Sequence, residues 1–288
     1  MTVETRQPSL VDTIFRLQEL ADYIVPFGIR AVSELHLADL LRTDHPLSLA
    51  DAYPFVIGDL RAWAEFGHTL RTGESAFEHV HGTGYYDYLA QNPLESERVD
   101  RSVRAQNRYV LRDVLHAYPW SELGTVVDVG GGDGTFLAGL LARHTGLTGT
   151  LVDLPHVVAN APAVLDKAGV TDRCTILPGS FFDPLPADAD AYILKTILHD
   201  WNDTAARTVL RRVRAAMRPD SRLILLEAQL PEGDEFHIGK LLDLHSLVLV
   251  AGPDRSREDL ATLLSQAGLL LSESITTQTL TIFEATRD

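Results

Sequence analysis

The sequence predicts an α/β chain: a doubly wound parallel sheet preceded by a helical region. Three observations predict it. From Thr125 onward, short apolar runs alternate with helical patterns. A cluster of glycines follows directly on the first of those runs. Before it, apolar residues recur at three- and four-residue steps, the mark of amphipathic helices. Unbroken apolar strands separated by helices imply a parallel sheet covered on both faces.

Residues 9–42 read as helix. Leu10, Ile14, Leu17, Leu20, Ala21, Ile24 and Val25 form one stripe, Pro26 interrupts it, and Ala31, Leu35, Leu37, Leu40 and Leu41 follow. Helices this apolar need a partner surface. Residues 59–92 hold more helix, with Trp63, Phe66 and Leu70 on one face, and end in the aromatic stretch AFEHVHGTGYYDYL. Residues 94–117 are polar and helical. Strands follow at TVVDV (125–129), GTLVD (149–153), CTILP (174–178), AYILK (191–195) and SRLILLEA (221–228), with helices over 134–144, 156–168 and 203–217. Asn202 and Asp203 read as the cap of the last of these. Ser256 with Asp259 resembles a capping box opening a helix through Gln266, which Gly268 ends. LLLSES and TLTIFEAT close the chain as an antiparallel edge. The reading divides the chain into a helical region, 1–95, and a sheet domain, 96–288.

Composition narrows the function classes. The 288 residues are 45% hydrophobic, enough for a large core, yet hold no run of about 18 apolar residues that would span a membrane. The N-terminus lacks the basic-then-apolar pattern of a secretory signal. A single cysteine, Cys174, rules out an internal disulfide and fits a reducing, cytoplasmic setting. The net charge is −15, and no basic patch suits a phosphate backbone. Arg207, Arg211, Arg212, Arg214 and Arg218 are spaced as the solvent face of a helix. Nucleic acid and membrane are therefore not expected partners.

The chemistry concentrates in VVDVGGGDGTF. Glycine permits a tight turn and lets a ligand approach the backbone, and the helix start adds free N–H groups and a partial positive charge. The dinucleotide fingerprint needs G-x-G-x-x-G. Counted from Gly130 its last position falls on Thr135, and from Gly132 on Leu137, so both frames fail. The pattern present is Asp128-x-Gly130-x-Gly132-x-Gly134, which resembles the first motif of S-adenosylmethionine (SAM)-dependent methyltransferases. Asp153, followed by Leu154, stands at the end of the next strand, where a carboxylate can accept bonds from two ribose hydroxyls.

The rest of the chain extends the likeness. VDVGGGDG, LVDLP, GSFFDPLP, LKTILHDW and AGPDRS resemble, in order and spacing, the motifs of the plant caffeate-type and bacterial polyketide-type SAM-dependent O-methyltransferases. LRTGESAFEHVHGTGYYDYL is similar to the family's linker, and residues 9–42 to its dimerisation region. The resemblance implies a Rossmann-like class I methyltransferase sheet, SAM as cofactor with S-adenosylhomocysteine as product, no metal, and a homodimer through the N-terminal helices. It marks two departures. HLADLL runs straight into RTDHPLSLADAYPF, where the family has a winged-helix module of about fifty residues. Ser180 stands where the family has an acid for the adenine amino group, with Phe181 beside it to pack on the ring.

By the same resemblance His199 is the general base, flanked by Glu227 and Asp254, and Lys195 reaches the adenosine region. A phenol has a reference pKa near 10, so an imidazole that takes its proton speeds attack on the methyl by about 10²–10⁴-fold. A carboxylate on the other ring nitrogen sets the tautomer. Trp63, Phe66, Phe77, Tyr85, Tyr86, Asp200 and His245 are the expected acceptor contacts, flat aromatic substrates suiting such walls. The bland reading of each aromatic is inter-helix core, and that of Lys195 a snorkelling surface lysine. His79 and His81, two apart on a helix, splay and make no metal site. The expected activity is methyl transfer to a hydroxyl of an aromatic natural product. The alternatives are a SAM-binding relative running hydroxylation, decarboxylation or a pericyclic step, and a non-catalytic SAM-binding dimer.

Overall fold

A computed structural model of the chain describes residues 56–228, 238–252, 255–277 and 279–288, without the side chains of 106–109, 238–239 and 241–242. The helices read over 9–42, the junction where the winged-helix module was expected, and Asp254 lie outside the described residues. The described residues all belong to one compact unit, Pro54–Asp288.

Five helices come first: α1 (Ile57–Ala64), α2 (Phe66–Thr72), α3 (Ala76–His81), α4 (Tyr85–Gln91) and the long α5 (Pro93–Ala117). The alternating half follows as β1 (Thr125–Val129), α6 (Thr135–Arg143), β2 (Thr148–Asp153), α7 (Ala161–Ala168), β3 (Cys174–Pro178), β4 (Ala191–Lys195), α8 (Asp203–Ala216) and β5 (Arg222–Glu227). Then come α9 (Ile238–Val250), α10 (Arg257–Gln266), β6 (Leu269–Thr276) and β7 (Thr281–Arg287). The seven strands order as β3-β2-β1-β4-β5-β7-β6. The first five are parallel, and β7 runs antiparallel to both β5 and β6. The closing antiparallel edge is thus present, with β7 slotted inside β6.

Strand residues alternate between the two faces, as the pleat requires. Val127, Val129, Tyr192, Leu194, Leu223 and Leu225 pack with Val209, Leu210 and Val213 of α8 and Leu263 and Leu264 of α10. Val126, Leu151, Ile193, Ile224 and Leu226 pack on the other face with Phe136, Leu137, Leu140 and Leu141 of α6 and Leu165 of α7. Burying both faces explains the unbroken apolar runs. A third cluster joins α1 and α3 to α9 through Ala62, Ala76, Phe77, Val248 and Leu249.

The caps follow the sequence. Asn202 Oδ1 accepts from the N–H groups of Thr204 and Ala205, both at 3.1 Å. Ser256 Oγ accepts from Asp259 N at 3.2 Å, and Gly268 turns the chain after α10 with φ 75°. The arginines of α8 bond to neighbouring loops: Arg212 Nε donates to Phe182 O (2.8 Å) and Arg214 Nε to Gly268 O (2.8 Å).

The strand order reverses between β1 and β4. In such sheets ligands bind outside the carboxyl ends of the strands at that reversal. Asp153, Lys195 and Glu227 end β2, β4 and β5, and Gly130 follows β1.

Candidate active site

The glycine loop is a left-handed turn at alternate positions. Gly130, Gly132 and Gly134 have φ of 73°, 65° and 79°, where a side chain is strained. A Cβ on Gly130 would lie 2.5 Å from Ile197 Cδ1, so the loop packs directly on the segment leading to His199. A Cβ on Gly132 would meet nothing within 4 Å. That open side is where a ligand can approach the backbone. Asp133 ties the loop to its surroundings: Oδ1 accepts from Thr135 N (3.1 Å), and Oδ2 lies 3.4 Å from Arg104 of α5.

Two acids lie against the loop. Asp153 Oδ2 accepts from Gly132 N (2.8 Å) and Oδ1 from Leu154 N (2.7 Å), so Asp153 already braces the loop. Each oxygen keeps a lone pair for a further donor. Asp128 is completely buried, and neither of its oxygens has a hydrogen-bond partner. Burial pushes its carboxyl up to about 7, with Lys195 opposing and Asp153 adding to the rise. A buried carboxylate without a partner beside an open glycine suits a cationic donor group, such as a cationic amino-acid moiety. The donor set therefore suits SAM.

Lys195 leaves β4 amid carboxylates: its ammonium feels Asp128, Glu227, Asp133 and Asp200, while burial holds its pKa down. It is no snorkelling surface residue. Nζ donates to Thr196 Oγ1 at 3.2 Å. Ser180 Oγ accepts from Phe182 N (3.2 Å), and Phe181 stands edge-on to Trp201 with centroids 5.8 Å apart. Leu154 is exposed at the rim.

After β4 the chain turns through Thr196, a non-glycine residue at φ 51°. Such a conformation costs about 1–3 kcal/mol and persists only where its surroundings hold it. It leads into a 3₁₀ turn, Leu198–Asp200, that presents His199. His199 Nε2 lies 3.2 Å from Asp200 Oδ1, and Nδ1 lies 3.8 Å from Glu227 Oε2. Glu227 Oε1 accepts from Ile197 N (3.1 Å) and Leu198 N (2.9 Å), and burial raises its carboxyl. His199 and Glu227 are thus brought together as expected, and Asp200 is a second acid on the same ring.

Two residues that the sequence did not single out hold this turn. Arg255 donates from Nη1 to Leu198 O (2.6 Å) and from Nη2 to Trp201 O (2.8 Å), and pairs with Asp203 at 2.9 Å. A Cβ on Gly252 would sit 1.9 Å from His199 O, so Gly252 presses its backbone against the turn. The only signal for either was membership of that motif.

The acceptor contacts divide. Phe77 is fully buried, wedged among His81, Tyr85 and Tyr88. It is a core residue of the helical cap and offers no wall, the bland reading having won because α3 buries that face. Trp63 Nε1 donates to His245 Nδ1 at 3.1 Å, and Phe66 lies 5.4 Å from Trp63. An indole can only donate, so Nδ1 is unprotonated and neutral His245 carries its proton on Nε2. Burial lowers the pKa of His245, which favours that neutral form. Tyr86 packs edge-on to Tyr85 (5.5 Å) and donates its hydroxyl to Asp200 Oδ2. His79 stacks on His68 at 4.0 Å. No helix among the described residues is long and apolar enough to cross a membrane.

Against known proteins, the O-methyltransferase domain family matches residues 63–270. The chain belongs to the SAM-dependent O-methyltransferases. It is 41% identical over 252 residues to a phenazine O-methyltransferase of Lysobacter antibioticus, covering 86% of this chain and 74% of that protein. It is 41% identical over 249 residues to the O-demethylpuromycin-O-methyltransferase of Streptomyces alboniger, covering 84% and 66%. The chain therefore spans about two thirds to three quarters of the length of these relatives. Among solved structures, an O-methyltransferase from neocarzinostatin biosynthesis, in complex with SAM and 2-hydroxy-5-methyl naphthoic acid, superposes with TM-score 0.77. That pair is 32% identical, covering 87% of this chain and 76% of the other. Family membership bears out the Rossmann-like class I methyltransferase fold and SAM as cofactor.

Proposed function

We propose that this chain methylates a hydroxyl oxygen of an aromatic natural product, with His199 as the general base. The observation that carries the reading is an imidazole bracketed by two carboxylates, 3.2 and 3.8 Å away, on a turn packed against the glycine loop. Asp128, Gly130, Gly132, Asp153, Leu154, Ser180, Phe181 and Lys195 are the residues that would hold SAM. When bound, SAM supplies a methyl group on a cationic sulfur. His199 takes the acceptor's hydroxyl proton at a ring nitrogen as the oxygen–carbon bond forms and the carbon–sulfur bond breaks, releasing S-adenosylhomocysteine. Asp200 and Glu227 stabilise the imidazolium that results. Trp63, Phe66, Tyr85 and His245 supply aromatic surface near the acceptor, in keeping with the phenazine and naphthoic acid in the relatives' names. The reading includes a homodimer through residues 9–42, which light scattering tests directly.

The decisive experiment incubates the protein with labelled SAM and a panel of phenols, hydroxyphenazines and hydroxynaphthoates. A product heavier by one methyl, with S-adenosylhomocysteine released, supports the reading. An added oxygen or lost carbon dioxide would move the protein to the non-methylating alternative. His199→Ala should lower turnover by about 10²–10⁴-fold while SAM still binds. Turnover like the wild type in that variant would remove the base.

A further inference from the structure

Tyr86 stands where nothing in the proposed reaction requires a phenol. It opens α4, on the helical side of the site, and its hydroxyl donates to Asp200 Oδ2. The other oxygen of the same carboxylate faces His199 Nε2 at 3.2 Å. The residue is half exposed, its ring packs edge-on to Tyr85, and its hydroxyl end lies against Asp200. Burial and the negative charge of Asp200 both push the phenol's pKa up, so it remains a donor across the working pH range. The Asp200 carboxylate thus accepts the phenol O–H on one oxygen and faces the imidazole Nε2 with the other.

We infer that Tyr86 is a positioning residue for the base, acting through Asp200: its hydroxyl anchors the carboxylate beside His199 Nε2 and moderates how strongly that carboxylate draws the imidazole's proton. The inference rests on His199 being the base. Two carboxylates on one imidazole favour imidazolium, which cannot accept a proton. A donor on the far side of Asp200 engages part of its charge in a charge-assisted bond and leaves less for Nε2. Asp200 on its own turn and Glu227 from β5 stand beside the imidazole; around the Asp200 carboxylate lie Tyr86 and Tyr85 from α4 and Lys195 from β4, and Arg255 holds the turn through Leu198 O. Of these, Tyr86 is the one seen to donate to Asp200.

The test is the pH profile of kcat/KM, whose acid limb reports the base in the free enzyme. Tyr86→Phe leaves the Asp200 carboxylate wholly to His199. Imidazolium is then favoured, and the limb moves to higher pH by roughly half a unit or more. Asp200→Asn removes the charge and moves the limb to lower pH. Opposite displacements from two neighbours are something a packing defect does not produce. Tyr86→Phe placed in the Asp200→Asn background should shift the limb no further. An unmoved limb in Tyr86→Phe, or the same shift with and without the Asp200 carboxylate, overturns the inference. Thermal unfolding of each variant shows that it is folded, and only a hydroxyl leaves a half-exposed residue. His199→Ala serves as the control: if it retains turnover, the base reading fails, and if it is inactive while the Tyr86→Phe limb stays put, only the Tyr86 role fails.

Discussion

Glu227 and His199 meet at the carboxyl edge of the sheet: Glu227 Oε1 takes the backbone N–H groups of Ile197 and Leu198, and Oε2 lies 3.8 Å from His199 Nδ1. One carboxylate thus holds both the turn that carries the imidazole and the charge beside it. Oε2 is buried and has no hydrogen-bond partner, so this end of Glu227 is positioned by the bonds at the other.

Glu227→Gln separates these two jobs. The amide oxygen can still accept both backbone N–H groups, and the amide NH₂ then faces Nδ1 as a donor. That favours the tautomer with its proton on Nε2, the wrong one for a base. Turnover should fall by about 10²–10⁴-fold, while the melting temperature holds, since a buried charge has been removed. A fall in melting temperature that accounts for the lost activity would leave Glu227 with a structural role alone.

The glycines of the loop should respond unequally to a methyl group. Gly130→Ala combines a left-handed φ with a Cβ 2.5 Å from Ile197 Cδ1, whereas Gly132→Ala meets open space. Strain of about 1–3 kcal/mol applies to both, and displacement of the Ile197–His199 segment only to the first. Gly130→Ala should therefore lose stability and turnover together. Gly132→Ala should melt closer to the wild type yet lose SAM affinity, measured by calorimetry, because its methyl occupies the open side of the loop.

Asp128 makes stability depend on pH. Its carboxyl rises from 3.8 to about 7 on folding, chiefly through burial. Between those values the folded state binds more protons than the unfolded one, so stability falls as pH rises through that window. The difference of about three units bounds the loss at ~4 kcal/mol. Asp128→Asn should flatten the fall between pH 4 and pH 8 in thermal unfolding without ligand, and should weaken SAM binding. A slope that survives the substitution would assign it to another group, Asp59 being the first candidate, since burial also raises it to about 7.

Gly252 and Arg255 hold the His199 turn, the first by shape and the second as a forked cation. Gly252→Ala puts a methyl 1.9 Å from His199 O and must move the turn. Turnover should fall at least as far as in Gly130→Ala, with loss of stability. Arg255→Lys keeps the charge but cannot bridge Leu198 O and Trp201 O with one planar group. Activity should drop severalfold with SAM affinity unchanged. Equal loss of affinity and turnover in Arg255→Lys would place its effect on the whole edge of the sheet.

The succession of strands along the chain, the antiparallel closing edge and the glycine turn were legible in the sequence, because each rests on local pattern, and the approach of Glu227 to His199 was implied by the family resemblance. Apolar runs name buried strands, glycines name left-handed turns, and strand-end acids share one edge once the strands are parallel. Side-chain partners were not legible. Asp153 was expected to serve a ribose, and it also braces Gly132. Phe77 was expected to line a wall, and it fills the core between α1, α3 and α9. Tyr86 was grouped with the aromatic walls, and its hydroxyl bonds Asp200 from 114 positions away in the chain. Such pairings depend on how helices dock, and composition within a helix does not record which neighbour will cover it. The sequence by itself determined the sheet and the chemistry set along its edge. The tertiary structure alone decided which polar atoms meet across that edge, because hydrogen bonds select partners at ångström separations that spacing along a chain does not encode.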